Sequence, residues 1–113
     1  MSGDRRRMES NAVVIADSTG VIVFWSAGAE KAFGYSAADA VGRTLDLIVP
    51  AEYREAHWNG FRRAMAAGAA PLEGRVGPFP VRQAGGAVAA VPGTLTLVRR
   101  AQGQVIAAMV VFE

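Results

Sequence analysis

The 113-residue sequence contains no cysteine, one lysine and one histidine. Without a thiol the chain cannot form disulfides, cysteine–zinc sites or flavin–cysteine adducts. No apolar run reaches the ~18–20 residues that a membrane-spanning helix requires. Basic and acidic residues nearly balance, at 12 and 10, which argues against a nucleic-acid-binding surface. We therefore expect a soluble cytoplasmic protein that binds neither nucleic acid nor a membrane.

The residues that are present indicate a single folded domain. Hydrophobic residues make up 51% of the chain and charged residues 19%, a balance that excludes intrinsic disorder. We predict a flexible N-terminal segment over residues 1–10 and one domain over residues 11–113. The arginine triplet Arg5–Arg7 lies in that segment, and we interpret it as a solvated tail rather than a tether to nucleic acid or a membrane surface.

The first half of the chain predicts two strands followed by short helices. Residues 12–16 and 21–25 are rich in β-branched side chains, and Gly20 lies in the turn between them. Residues 26–49 are rich in alanine and interrupted by glycines, a pattern typical of short helical pieces, and Ser36 is a candidate N-cap.

The second half predicts one long helix and a three-stranded meander. The helix spans residues 51–67 and ends at Gly68, and strands lie within residues 72–82, 87–100 and 104–112. With two strands before the helices and three after them, the expected fold is α+β, a five-stranded antiparallel sheet with helices packed on one face.

Several short motifs accompany these elements: Trp25-Ser26, Ala29-Glu30, Phe33-Gly34-Tyr35, Gly42-Arg43-Thr44-Leu45 and Ile48-Val49-Pro50. Together they resemble the PAS sensor family, and the resemblance covers about residues 10–113. Ser26 departs from the asparagine that many PAS domains carry there, but serine also caps a helix. The resemblance implies the PAS fold and a sensory role.

The only histidine lies at the centre of the apolar face of the long helix. On a helical wheel His57 groups with Tyr53, Gly60, Phe61 and Ala64, and the small residues leave room for a flat molecule beside the imidazole. The opposite, polar face carries Glu52, Glu55, Asn59, Arg62 and Arg63. The alternative is a core histidine that hydrogen-bonds a carbonyl group.

This helix is also similar to that of the heme-binding PAS domains of rhizobial oxygen sensors. His57 follows Pro50 by seven residues and precedes Gly68 by eleven, and Tyr53-Arg54 precede it. A histidine at this place is the axial iron ligand in those sensors. The resemblance therefore implies heme b with iron bound by His57, and O2, CO or NO as the gas ligand. Neutral imidazole is a suitable ligand for heme iron.

The opposite wall of the pocket is expected from the C-terminal strands, although strand parity is not fixed by the sequence. The candidates are Val76, Phe79, Val81, Leu95, Leu97, Met109 and Val111. We assign cofactor contacts to Leu95 and Met109 among them.

Two further positions have alternative readings. Arg75 is two residues from Gly77, the place where the rhizobial sensors carry a gas-contacting arginine, so it is either a polar contact in the pocket or an exposed loop residue. Gly93 follows a proline within a strand, which indicates either space over the iron or, as we favour, a bulge. Trp25 and Trp58 are predicted to be packing residues.

Three functions remain open. The first is a heme sensor domain, expected to form a homodimer and to signal to a partner protein. The second is a heme-dependent oxidative enzyme, which the lack of a second histidine disfavours because no good acid–base group remains. The third is a cofactor-free interaction domain that dimerises and holds His57 in its core.

Overall fold

The computed structural model describes residues 11–113 and has the predicted α+β arrangement. The strands are β1 (Ala12–Asp17), β2 (Ile22–Trp25), β3 (Val76–Arg82), β4 (Val88–Arg99) and β5 (Val105–Phe112). They form one antiparallel sheet in the order β2-β1-β5-β4-β3. The flexible segment predicted for residues 1–10 lies outside the described residues. Within residues 11–113 no helix is long and apolar enough to cross a membrane.

The helices lie between β2 and β3 in the chain. They are α1 (Ala27–Phe33), α2 (Ala37–Ala40) and α3 (Arg54–Ala67), with single 3₁₀ turns at Leu45–Leu47 and Ala51–Tyr53. The predicted long helix therefore begins as a 3₁₀ turn after Pro50 and becomes an α-helix at Arg54. Gly68, at a φ of 73°, ends it in the left-handed conformation that glycine adopts without strain.

Serine side chains start the two short helices, as their positions in the sequence predict. The Ser26 hydroxyl accepts the amide hydrogens of Ala29 at 3.1 Å and Val13 at 2.8 Å, so it caps α1 and also attaches it to β1. Ser36 caps α2 by accepting from Asp39 N at 3.1 Å. Ser26 therefore caps its helix even though many PAS-like sequences have asparagine at this position.

The strand register separates an inner, helix-facing side of the sheet from an outer side. Val110 of β5 pairs with Val14 of β1 and Leu95 of β4, so all three side chains project from one face. The main core lies on that face, where Trp25, Phe33 and Phe112 are buried. The rings of Phe33 and Phe112 meet edge to face, with centroids 5.0 Å apart.

Helix α3 packs on the sheet over its C-terminal half only. Ala64 is buried with Leu97, Val105 and Ala108 in a second, smaller core. Nearer the N-terminus of the helix, Gly60 is exposed, and a Cβ there would have no neighbour within 4 Å. The helix therefore stands away from the sheet along its first turns.

Gly93 does not mark a bulge, so that expectation is wrong. The pairing of β3 with β4 is continuous from Val76 opposite Thr94 to Arg82 opposite Val88. Gly93 is buried on the inner face, where a Cβ would lie 3.1 to 3.2 Å from side-chain atoms of three neighbours, Val110, Phe112 and Phe79. The missing side chain makes room for two phenylalanine rings, so it does not open free space either.

Two prolines lie on β3, one of the two edge strands of the sheet. Pro78 pairs with Pro92, and Pro80 pairs with Ala90. The Pro92 carbonyl points towards β5, where it accepts a hydrogen bond from Glu113 N at 2.8 Å. Because Pro92 does not bond to β3, its partner Pro78 directs its backbone groups away from β4, towards the free edge of the sheet. Alternate residues of a strand point the same way, so Pro80 also faces the free edge. The two N–H groups that proline lacks are therefore missing from the unpaired side of β3 and not from its pairing with β4.

Candidate functional site

A cavity of about 1070 Å³ lies between α3 and the inner face of the sheet. It exists because the residues of α3 that face the sheet are small, among them Ala56, Gly60, Ala64 and Ala67. The sheet and the neighbouring loops contribute apolar side chains, including Val14, Ile48, Phe79, Val81, Leu97, Val110 and Phe112. Among the described residues, only Tyr53, His57 and Arg63 line it with polar side chains. The volume is at the upper end of the ~300–1000 Å³ range of small-molecule sites.

Most of the residues predicted for the site line this cavity. They are Tyr53, His57, Gly60, Phe61 and Ala64 from the helical segment and Leu95 from β4. Tyr53 is 46% exposed and lies at the open side, whereas Ala64 is 8% exposed and packs against the sheet. Ala64 is thus both a wall of the cavity and a core residue.

Met109 and Arg75 do not line the cavity. Met109 pairs with Ile15 and Thr96, one residue out of phase with Val110, so its side chain lies on the outer face of the sheet. The expectation that Met109 contacts a cofactor is therefore wrong, and Val76 and Val111 are excluded for the same reason of strand parity. Arg75 is exposed and outside the lining, which fits the alternative of a loop arginine.

The cationic residue that does line the cavity is Arg63, which the helical wheel placed on the polar face. It is exposed, and it nevertheless belongs to the cavity lining. Its spacing is the signal that could have identified it. Arg63 follows Gly60 by three residues and Ala56 by seven, intervals that place all three on one side of a helix.

The imidazole of His57 is half-buried, and its Nδ1 is fully buried with no hydrogen-bond partner among residues 11–113. Within that part of the chain, no carbonyl group meets this atom in the way that a core histidine would require. Burial lowers the pKa of His57 below its ordinary value, and the negative charge of Asp46 opposes the shift. Burial thus favours the neutral form of the ring, which is the form that binds a metal.

Aromatic neighbours hold the imidazole in place. The ring centroid of His57 lies 4.9 Å from that of Trp58 and 5.9 Å from that of Phe61. Trp58 in turn donates from Nε1 to Asp46 Oδ1 at 2.8 Å. Trp25 is 4% exposed and donates to the Tyr35 carbonyl at 2.9 Å. Both tryptophans are packing residues, as predicted.

The first turn of α3 is attached to the segment before it by Arg54. Its Nε donates to the Val49 carbonyl at 3.1 Å, and its Nη2 donates to the Asp46 carbonyl at 3.2 Å. Asp46 therefore accepts hydrogen bonds from Arg54, three residues before His57, at its carbonyl and from Trp58, the residue after His57, at its side chain. These bonds fix the direction in which the histidine enters the cavity.

The described part of the chain contains no group of three or more histidine, cysteine, aspartate or glutamate residues that could hold a metal ion. A lone imidazole on an apolar wall is too small a donor set for a free ion. It suits a prosthetic group that supplies the remaining ligands itself.

Sequence comparisons match the chain to one family model and to segments of two longer proteins. The family model described as PAS fold matches residues 9–113. An uncharacterized protein of Azorhizobium caulinodans is 34% identical over 88 residues, or 77% of this chain, and the oxygen sensor protein DosP of Escherichia coli K12 is 30% identical over 61 residues, or 54% of it. The matched segments are 12% and 8% of those proteins, so the chain spans a small part of either relative.

Solved structures share the fold at low sequence identity. The PAS domain of a Colwellia psychrerythraea protein has a TM-score of 0.77 at 18% identity and covers 97% of this chain and 93% of its own. A light-oxygen-voltage domain studied with a flavin analogue has a TM-score of 0.72 at 18% identity, with 97% and 81% covered. The PAS domain of the Cronobacter turicensis quorum-sensing receptor RpfR, in complexes with BDSF and with C12:0, has a TM-score of 0.71 at 13% identity, with 91% of both chains covered. These identities establish the fold alone.

Proposed function

Since the chain belongs to the PAS family, we propose that this sensor domain binds heme b through His57 and responds to a diatomic gas or to the redox state of the iron. The observation that carries the proposal is a half-buried imidazole on the wall of an apolar cavity of about 1070 Å³, and burial favours its neutral form. The match to the oxygen sensor DosP over 54% of this chain supports a gas-sensing role.

The residues around the cavity fit this group. His57 provides one protein ligand, and bound heme would supply an iron with a further position open to O2, CO or NO. Phe79, Leu95 and Val110 offer apolar surface for a macrocycle on the sheet side. Arg63, which is exposed, is the cationic residue that lines the cavity within residues 11–113, and it would hold a carboxylate of the group.

The chain's own residues shield the imidazole and favour its neutral form. Phe61 and Trp58 flank the imidazole, so its Nδ1 is shielded from water. A protonated imidazole cannot bind a metal, and burial disfavours that form. No second histidine is present in the sequence to act as an acid or base, which favours binding and sensing over oxidative catalysis.

The test is a hemin titration followed by absorption spectroscopy in the oxidised, reduced and reduced-plus-CO states. We expect the wild-type protein to develop a Soret band that saturates at one hemin per chain. His57→Ala should lose this stoichiometric band and keep its fold by circular dichroism, because its partners at the cavity wall are apolar rings. Asn59→Ala, on the exposed side of α3, is the matched control and should bind like the wild type. A Soret band of unchanged position and intensity in His57→Ala would contradict the proposal.

A second candidate ligand is an amphipathic carboxylic acid. The observation that favours it is the position of Arg63 at the open side of a cavity that is otherwise apolar. The RpfR PAS domain, solved with BDSF and with C12:0, has the same fold. With dodecanoate as the probe in isothermal titration, Arg63→Ala should weaken this binding, whereas His57→Ala should leave it intact. Hemin binding should show the larger loss in His57→Ala, so the two variants distinguish the candidates.

A further inference from the structure

The indole of Trp58 fills the space over Gly20 in the turn between β1 and β2. A Cβ at Gly20 would lie 2.3 Å from the Cη2 and Cζ3 atoms of the indole, which is closer than any real contact allows. Gly20 also has a φ of 86°, the left-handed conformation of a tight turn. The tryptophan therefore rests directly on the backbone of this turn.

The same indole reaches the cavity and the segment before α3. Its centroid is 4.9 Å from that of His57 and 5.4 Å from that of Phe61, and its Nε1 donates to Asp46 at 2.8 Å. The segment that holds Asp46 is itself bound to the turn, because Leu45 N donates to the Gly20 carbonyl at 3.0 Å. Trp58 thus contacts the cavity histidine on one side and two connected backbone segments on the other.

We propose that Trp58 is a positioning residue that couples the β1–β2 turn to His57, so that the turn acts as a second site controlling what the cavity binds. A displacement of the turn moves the indole and, with it, the imidazole. By linkage, a group that binds to His57 shifts the turn with the same coupling free energy. The part of this inference that concerns heme rests on the proposed function, but the coupling itself belongs to the protein without any ligand.

The chain provides a matched pair of glycines for the test. Gly20→Ala introduces a methyl group into the indole, whereas Gly42→Ala introduces one at a φ of 94° where no atom lies within 4 Å. Both substitutions strain a left-handed backbone in neighbouring segments, since Gly42 N donates to the Ile22 carbonyl. Only the first displaces Trp58, so the difference between them isolates the contact.

The first measurement uses the protein without heme. His57 is the only histidine, so its ring protons give a single set of NMR signals, and Trp25→Phe identifies the Trp58 indole N–H. At a fixed pH we expect Gly20→Ala to shift the His57 ring signals and the Trp58 indole signal, and Gly42→Ala to leave both unchanged. Equal effects of the two alanines, or no effect of either on His57, would overturn the proposal.

The second measurement is hemin affinity. Gly20→Ala should bind hemin roughly fivefold or more weakly than Gly42→Ala, the lower end of typical coupling between sites. In a Trp58→Phe background, with the Asp46 hydrogen bond lost and a smaller ring over the turn, this difference should shrink. A difference that persists in full would contradict a role for Trp58. If the wild type binds no hemin, the proposed function fails, and the ligand-free NMR comparison still decides the coupling.

Discussion

Arg99 holds Glu73 through two parallel hydrogen bonds, from Nη2 to Oε1 at 2.6 Å and from Nη1 to Oε2 at 2.9 Å. Glu73 also accepts from Leu97 N at 2.9 Å, and Arg99 also donates to the Gly68 carbonyl at 3.0 Å. This pair therefore attaches the connection between α3 and β3, whose residues 69–72 line the cavity, to the C-terminal end of β4.

The ion pair makes stability depend on pH in acid. Hydrogen bonds from Arg99 and Leu97 lower the pKa of Glu73 from 4.5 to about 2. Because the folded-state pKa is lowered, the pair contributes its full stability above the ordinary pKa and loses it as the pH falls from about 4.5 towards 2. We expect Glu73→Gln to lower the urea midpoint at pH 6 and to approach the wild type near pH 2.5.

Glu55→Gln, on the exposed face of α3, is the control for that experiment. It should leave the urea midpoint at pH 6 close to that of the wild type. A Glu73→Gln protein whose deficit is the same at pH 6 and pH 2.5 would show that the deficit does not arise from the ion pair.

Gly60 is the position at which the cavity can be filled without disturbing the core. Its Cβ would meet no atom within 4 Å, and its backbone is not left-handed. Gly60→Ala should therefore stabilise the protein by about 0.5–1 kcal/mol, since glycine in a helix costs that much relative to alanine. Gly60→Leu should reduce hemin binding with no loss of stability, as measured by hemin titration and urea unfolding.

Ala64, one turn further along α3, should behave differently. It packs against Leu97 and Ala108 in the smaller core, so Ala64→Phe should cost about 1–3 kcal/mol of unfolding free energy through overpacking. A stable Ala64→Phe protein would show that the helix moves away from the sheet at little cost.

Much of the fold could be predicted from the sequence because local rules govern it. β-branched runs, serine caps and glycines at turns each depend on near neighbours in the chain, and the structure has the corresponding strands, caps and turns. Strand parity is different. Whether Met109 or Val110 faces the cavity depends on the pairing of β5 with β1 and β4, and a shift of one residue exchanges the two faces.

The helix face was also only partly predictable. Spacing places His57, Gly60 and Ala64 together, but it does not reveal that the N-terminal half of α3 stands away from the sheet. That separation follows from tertiary packing, because only the C-terminal half of the helix meets the smaller core. The wheel also places the exposed Arg63 on the polar face, whereas the structure has it in the cavity lining. The unpartnered Nδ1 of His57 likewise depends on the positions of residues distant in sequence.

The assignment of sheet faces can be tested with two phenylalanines. Leu95→Phe adds bulk inside the cavity, and Met109→Phe adds it on the outer face, one register position away, because Met109 pairs with Thr96. Hemin affinity should fall in Leu95→Phe and stay close to the wild-type value in Met109→Phe. The opposite order would require a different register between β4 and β5.

Gly93 should tolerate no side chain. A methyl group there would lie 3.1 to 3.2 Å from atoms of Val110, Phe112 and Phe79, so Gly93→Ala should lower the unfolding free energy by roughly 1 kcal/mol or more. Gly77, its partner across β3 and β4, faces open space and is the matched control. Chemical denaturation of both variants would compare the two sites, and equal losses would contradict the packing described for the phenylalanine rings.

The prolines of β3 disfavour edge-to-edge association of two molecules through this strand. An incoming strand that aligned with the outer edge of β3 would find two carbonyl acceptors with no amide donors beside them, at Pro78 and Pro80. Each missing donor removes one hydrogen bond between β3 and an added strand, so the growth of a fibril through this edge is disfavoured. The molecule can thus keep an apolar cavity next to an outermost strand without that strand becoming a template for aggregation.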